Sequence, residues 1–174
     1  MSQLGTFALL RSLAGLMVLA GILLPACKYS FNTASLPPEI ESIAINKFQN
    51  NAPIVIPNYS QELTIALQDQ FLSQTRLNLT DPPADLVITG TIVDYRIEPV
   101  NIQGNDRAAQ NRLTVAVDVL FENNKFPEQS WENEFSTFID FDQGTNLTAV
   151  QSALLEEIND QLVQDIFNKA LGNW

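Results

Sequence analysis

Leu113-Thr114-Val115-Ala116-Val117-Asp118-Val119-Leu120-Phe121-Glu122 is the stretch on which the fold turns. Its odd positions are all large and apolar, and its even positions are polar or small apart from Leu120. Successive side chains of a strand point to opposite faces of its sheet, so this alternation predicts a strand with one dry face and one wet face. The next strand repeats the pattern. Trp131, Phe135, Ile139 and Phe141 fall on one side, and Glu132, Glu134, Ser136 and Asp140 on the other. Between the two strands, Glu122-Asn123-Asn124-Lys125 and Pro127 supply the residues of a hairpin connection. Upstream, Asp85 to Val100 is a long run rich in β-branched residues, with Gly90 inside it as an expected bulge.

Two helices flank these strands. Asn58 followed three residues later by Gln61 matches a capping box, and Leu63, Leu67 and Phe71 follow at four-residue spacing in a helix expected to end near Arg76. The second helix is expected to start near Asn146. It carries Val150, Leu154, Ile158, Leu162, Ile166 and Ala170 on its apolar stripe, widened by Leu155, Val163 and Phe167. Its opposite face holds Glu156, Glu157, Asp160 and Asp165, which read as a solvated face, and Gly172 stands where a C-cap glycine belongs. A first strand is expected between Ile40 and Phe48, and residues 50–57 read as a loop broken by Pro53 and Pro57.

The element order is therefore β-α-β-β-β-α. A first strand joined to a second through a helix can lie parallel to it, and the remaining strands return antiparallel. The fold class is α+β: a two-layer sandwich of a four-stranded mixed sheet with two helices on one face. Its other face stays open unless a partner covers it.

The N-terminus has a different character. Arg11 is the only charged residue before an apolar run from Leu13 to Leu24, which is too short to cross a hydrocarbon core that takes about 20 helical residues. It reads as the core of a secretory signal. The run ends in Leu24-Pro25-Ala26-Cys27, which resembles the lipobox of bacterial lipoproteins, with Pro25 departing from the usual small residue. Cys27 is the one cysteine of the chain, so a disulfide within it is excluded. The expectation is cleavage before Cys27 and covalent lipid on that cysteine, a diacylglycerol plus an N-acyl chain such as palmitate, with no other cofactor. The chain then divides into a signal peptide (1–26), a lipidated tether (27–38) and a single α+β domain (39–174).

From Cys27 onward there are 8 basic and 20 acidic side chains, so nucleic acid, which requires a basic footprint, is not an expected partner. There is no histidine, which removes histidine-based triads and zinc sites. Neither a catalytic residue nor a metal site is expected. Carboxylates alone can cleave glycosides when suitably spaced, and Asp140 and Asp142 share a strand face, but acids at this spacing are usually solvated.

Several stretches carry a family likeness. The lipobox followed by Lys28-Tyr29-Ser30-Phe31, then Ile43-Ala44-Ile45-Asn46-Lys47-Phe48 and Leu63-Thr64-Ile65-Ala66-Leu67-Gln68-Asp69-Gln70-Phe71, resembles the LptE family of lipopolysaccharide-assembly lipoproteins. The passage Val100-Asn101-Ile102-Gln103-Gly104-Asn105 leading to Asn111-Arg112-Leu113-Thr114-Val115, and the ending Asp165-Ile166-Phe167-Asn168-Lys169-Ala170, extend the likeness over nearly all the chain after the signal. The resemblance implies a non-enzymatic outer-membrane lipoprotein whose domain faces the periplasm or a barrel lumen. It further implies plugging of the LptD β-barrel and contact with lipopolysaccharide or lipooligosaccharide during insertion.

A ligand of that kind is anionic and this chain is acidic, which directs attention to its local cations. Arg96, Arg107 and Arg112 lie on or beside the connection from the second to the third strand and are the candidate ligand-binding residues, since arginine suits bidentate phosphate contact. Solubilising loop charges are the alternative for these three. At the level of the whole protein, the alternative is a lipid-anchored periplasmic carrier binding an acyl chain or peptide, which would need a concave apolar cavity.

Overall fold

The computed structural model describes residues 36–100 and 109–172, all within one compact unit, Thr33–Trp174. The elements are β1 (Ser42–Ile45), β2 (Gln49–Asn50), α1 (Tyr59–Gln74), β3 (Asn78–Leu79), β4 (Leu86–Val100), β5 (Gln110–Asn123), a single 3-10 turn (Pro127–Gln129), β6 (Trp131–Asp142) and α2 (Leu147–Leu171). The order is the expected β-α-β-β-β-α with two short strands added. The sheet runs β3-β1-β4-β5-β6, with β2 also pairing with β4. β1 is parallel to β4, whereas β4, β5 and β6 form an antiparallel meander.

The alternation of β5 does what its parity requires. Leu113, Val115, Val117, Val119 and Phe121 are all buried, in one cluster with Leu63, Leu67 and Phe71 of α1 and Ile158, Leu162 and Ile166 of α2. Phe71 and Phe167 meet edge to face with ring centroids 5.0 Å apart, joining the two helices. Both helices cover the same face of the sheet.

Several local expectations are corrected. Asn58 is the N-cap of α1, but its φ of 64° is left-handed and its side chain makes no capping bond; its backbone carbonyl accepts from Gln61 and Glu62 instead. No capping box forms. On α2, Asn146 does cap, its side chain accepting from the Thr148 N–H. Gly172 follows that helix in a right-handed conformation, so it is not a left-handed cap. The stripe of α2 is rotated toward Leu155, Leu162 and Leu171, and Leu154 is only partly buried. The bulge lies between Ile92 and Asp94, two residues beyond Gly90. Gly90 serves the packing of Phe48, whose ring occupies the space a Cβ there would need.

A carboxylate clasp closes the end of the sheet where β1 and β4 begin. Asp85 accepts from the Glu41 and Ser42 amides, both at 3.0 Å, and from the Ser42 hydroxyl at 2.9 Å, while Lys125 stands 3.3 Å away. These donors, the Glu41 amide foremost, hold its pKa down at about 2 from an ordinary 3.8. A folded-state pKa below the unfolded one stabilises above the unfolded value, and that contribution is lost as pH falls through the folded value. Asp85→Asn should therefore cost about 1 kcal/mol at neutral pH, the low end for a partly solvated charged hydrogen bond, and its deficit relative to wild type should vanish between pH 3.8 and about 2. Urea titrations across that range check it.

Candidate functional site on the open sheet face

The face of the sheet turned away from the helices carries the even positions of β5 and β6. Near the β1 end it is closed by Ala44, Ala84 and Val87, a small buried cluster. Toward the far end of the long strands the register sets Thr114 opposite Phe138, Arg112 opposite Asp140 and Asp118 opposite Glu134. Like charges directly opposite each other destabilise a sheet, so the pair Asp118 and Glu134 is not there for the stability of the isolated domain.

Both described arginines of the expected trio stand on this face. Arg112 of β5 makes a two-pronged bond to Asp140, with Nε 2.7 Å from one oxygen and Nη2 2.9 Å from the other, and its guanidinium lies 3.7 Å from the centroid of the Phe138 ring. The Asp140 bond raises the Arg112 pKa, and the same bond lowers that of Asp140. Arg96 of β4 is paired with Asp94 and Glu98 of its own strand. Its neighbour across β5 is Thr114, which links the two arginines through one patch of sheet. Arg107 and Cys27 lie outside the described residues. Asp140, one of the two acids weighed as a carboxylate pair, is bonded to Arg112.

Phe138 is the residue that sequence reading missed. It is 49% exposed at the centre of this patch. Its signal was present: Phe138 and Leu120 are large apolar residues on the polar phase of otherwise well-alternating strands. An apolar residue on the wet phase either covers a charged neighbour or meets a partner.

Elsewhere, the groove between the helices, with a volume of about 330 Å³, is lined by Ala66 and Val163 but also by Asp69, Gln70, Asp160 and Gln164. It is polar and bridged by a bond from Gln70 to Gln164. Among the described residues no helix is long and apolar enough to cross a membrane, and no group of acidic, histidine or cysteine side chains is arranged to hold a metal ion.

The fold has relatives among solved structures. The hypothetical protein CT253 from Chlamydia trachomatis superposes with a TM-score of 0.54 at 8% identity, over 76% of this chain and 99% of that one. A minor lipoprotein from Acinetobacter baumannii gives a TM-score of 0.48 at 12% identity, over 78% and 95% of the two chains. Among curated proteins none matches. The family model described as LptE, Lipopolysaccharide-assembly, matches residues 40–170, from two residues before β1 to one residue short of the end of α2. That match spans every strand and both helices, and the chain belongs to the LptE lipopolysaccharide-assembly family.

Proposed function

We propose that this protein is a non-enzymatic outer-membrane lipoprotein, lipidated at Cys27, that fills the lumen of an LptD-type β-barrel and assists lipopolysaccharide insertion. The observation that carries the reading is the open sheet face in a chain of this family. It is a mixed surface in which Leu120 and Phe138 stand among Asp118, Glu122, Glu132, Ser136 and Asp140. The interiors of outer-membrane barrels are polar, so a plug needs an outer surface of this composition, not a continuous apolar one. The carrier alternative asks for an apolar cavity, and the groove between the helices, with its paired glutamines and two aspartates, is a poor seat for an acyl chain. The test is affinity capture of the lipidated protein from detergent-solubilised membranes. A large β-barrel protein should co-purify in near-equal amount, and its absence under conditions that retain the lipid anchor would overturn the plug.

In this reading Arg96, Arg107 and Arg112 are the contacts to lipid phosphate. Arg112 already has a carboxylate in its fork, so a phosphate must compete with Asp140 for the same donors. Two opposite outcomes follow. Arg112→Glu together with Arg107→Glu should weaken lipopolysaccharide binding, and added salt should weaken wild-type binding by screening. Asp140→Asn should strengthen it severalfold by releasing the Arg112 fork. Binding titrations of the three proteins at low and moderate salt, with circular dichroism for the fold, decide the matter. Unchanged affinity in all folded variants would remove the arginines from the proposal.

A further inference from the structure

Two neighbouring side chains are the most exposed large apolar groups among the described residues: Ile54 at 51% and Val55 at 61%. They form the tip of the loop between β2 and α1, framed by Pro53 and Pro57. The loop is firmly based. The Asn51 amide donates to the Ile92 carbonyl at 2.9 Å, the Ala52 amide to the Asn50 side chain at 3.2 Å, and Ile56 packs on the core behind the tip. The exposure is thus built in, held by two fixed prolines and an anchored base.

The surroundings are as informative as the tip. The chain is uncharged from Gln49 to Gln61, and uncharged again from Gln143 to Leu155. The fold brings these two runs to the same end of the helical layer: Gln151 of α2 donates to the Tyr95 hydroxyl at 2.9 Å, and Tyr59, the first residue of α1, is buried beside Tyr95. A protein with 20 acidic and 9 basic side chains therefore has a weakly charged corner with an apolar point, bordered by Glu62 beside Tyr59. The loop itself can meet an anionic lipid surface without bringing a carboxylate against it, since residues 49–61 carry none.

The length of chain before the domain fits the same occupant. Leu36, the first described residue, is packed into the core, and its carbonyl accepts from Arg76 at 2.8 Å just beyond the C-terminal end of α1, whereas the loop precedes its N-terminal end. The 16 residues of α1 separate them by about 24 Å. From Cys27 to Leu36 an extended chain reaches about 30 Å. A tether of that length lets the loop come down on the bilayer that holds the lipid. Once a protein is tethered, weak apolar contact suffices for occupancy, because the second contact is intramolecular.

We infer that Ile54 and Val55 form a membrane-resting point: in the lipidated protein free of its barrel, this loop sits in the apolar boundary of the anchoring bilayer and lays the domain on its side. The inference rests on the lipid anchor read at Cys27. It is tested with full-length lipidated protein carrying Val55→Cys or, on the opposite sheet face, Ser136→Cys, each labelled with an environment-sensitive fluorophore and reconstituted into phosphatidylethanolamine–phosphatidylglycerol vesicles. The acylated Cys27 takes no label, so wild type should stay dark; a labelled wild type would overturn the anchor before any vesicle is added. At Val55 the emission should shift to the blue and be quenched severalfold more by shallow doxyl-labelled lipid than at Ser136. Equal quenching at the two sites would overturn the loop assignment while leaving the anchor intact. A blue shift that precedes vesicle addition and accompanies dimers in sedimentation would mean that a second copy covers the loop, and would overturn it too.

Discussion

Cys27→Ala is expected to abolish fatty-acid labelling altogether and to leave the precursor uncleaved by the lipoprotein signal peptidase. The effect is all-or-none because the sequence holds no second cysteine to take over. It also changes the location of the protein. A stable anchor requires more than one acyl chain, at about 0.8 kcal/mol per buried methylene, and the apolar loop tip at Ile54 and Val55 is far too small to replace it. Pulse labelling with radioactive palmitate, read beside the mobility of precursor and mature forms, gives the answer directly. Label retained by the alanine variant would withdraw the anchor, and with it the tether geometry on which the membrane-resting point depends.

How much of this was legible in the sequence depended on whether the signal was periodic. The parity of β5 could be read residue by residue, because a strand packed on one face imposes a two-residue period and Leu113 to Phe121 obey it. Once β5 was placed, β4 and β6 followed, and with them the layer order. The two-residue strands Gln49–Asn50 and Asn78–Leu79 left no such trace: a period of two cannot be recognised in two residues, and each exists only because a neighbouring strand offers bonding groups. The rotated stripe of α2 was hidden for another reason. Leu154 and Leu155 are equally apolar, and which of them turns inward is decided by the rotation of the helix about its own axis as it packs on the core.

The site was legible in part. Arg96 and Arg112 were found by scarcity, as cations in an acidic chain, and the structure sets both on one face. Their partners could not be read, because Asp140 is 28 residues from Arg112 in sequence and becomes its neighbour only through the β5–β6 register. The same holds for Asp85, which clasps the start of β1 from more than 40 residues away.

Gly90 is the clearest case of a residue whose meaning lay wholly in three dimensions, and its replacement is expected to give the largest loss of stability. In the sequence a glycine inside a β-branched run reads as a bulge; in the fold it is the floor on which Phe48 lies, and Phe48 is almost fully buried. Any Cβ at position 90 meets that ring. The ring must then move, and two costs combine: overpacking, about 1 to 3 kcal/mol, and partial loss of a buried aromatic whose complete removal costs about 3 to 5 kcal/mol. Gly90→Val should therefore lose about 3 kcal/mol or more, lowering the melting temperature by roughly 6 to 12 °C for a domain of this size. Gly144→Ala is the control, since nothing lies within 4 Å of its added methyl. Propensity alone would give the opposite sign at position 90, because valine favours strands over glycine by as much as about 1 kcal/mol. The decisive measurement is a double-mutant cycle. If the clash with Phe48 is the cause, Gly90→Ala and Phe48→Leu should together cost clearly less than the sum of the two single changes, since the smaller side chain vacates the space the new Cβ needs. Additive costs would place the strain somewhere other than beneath that ring.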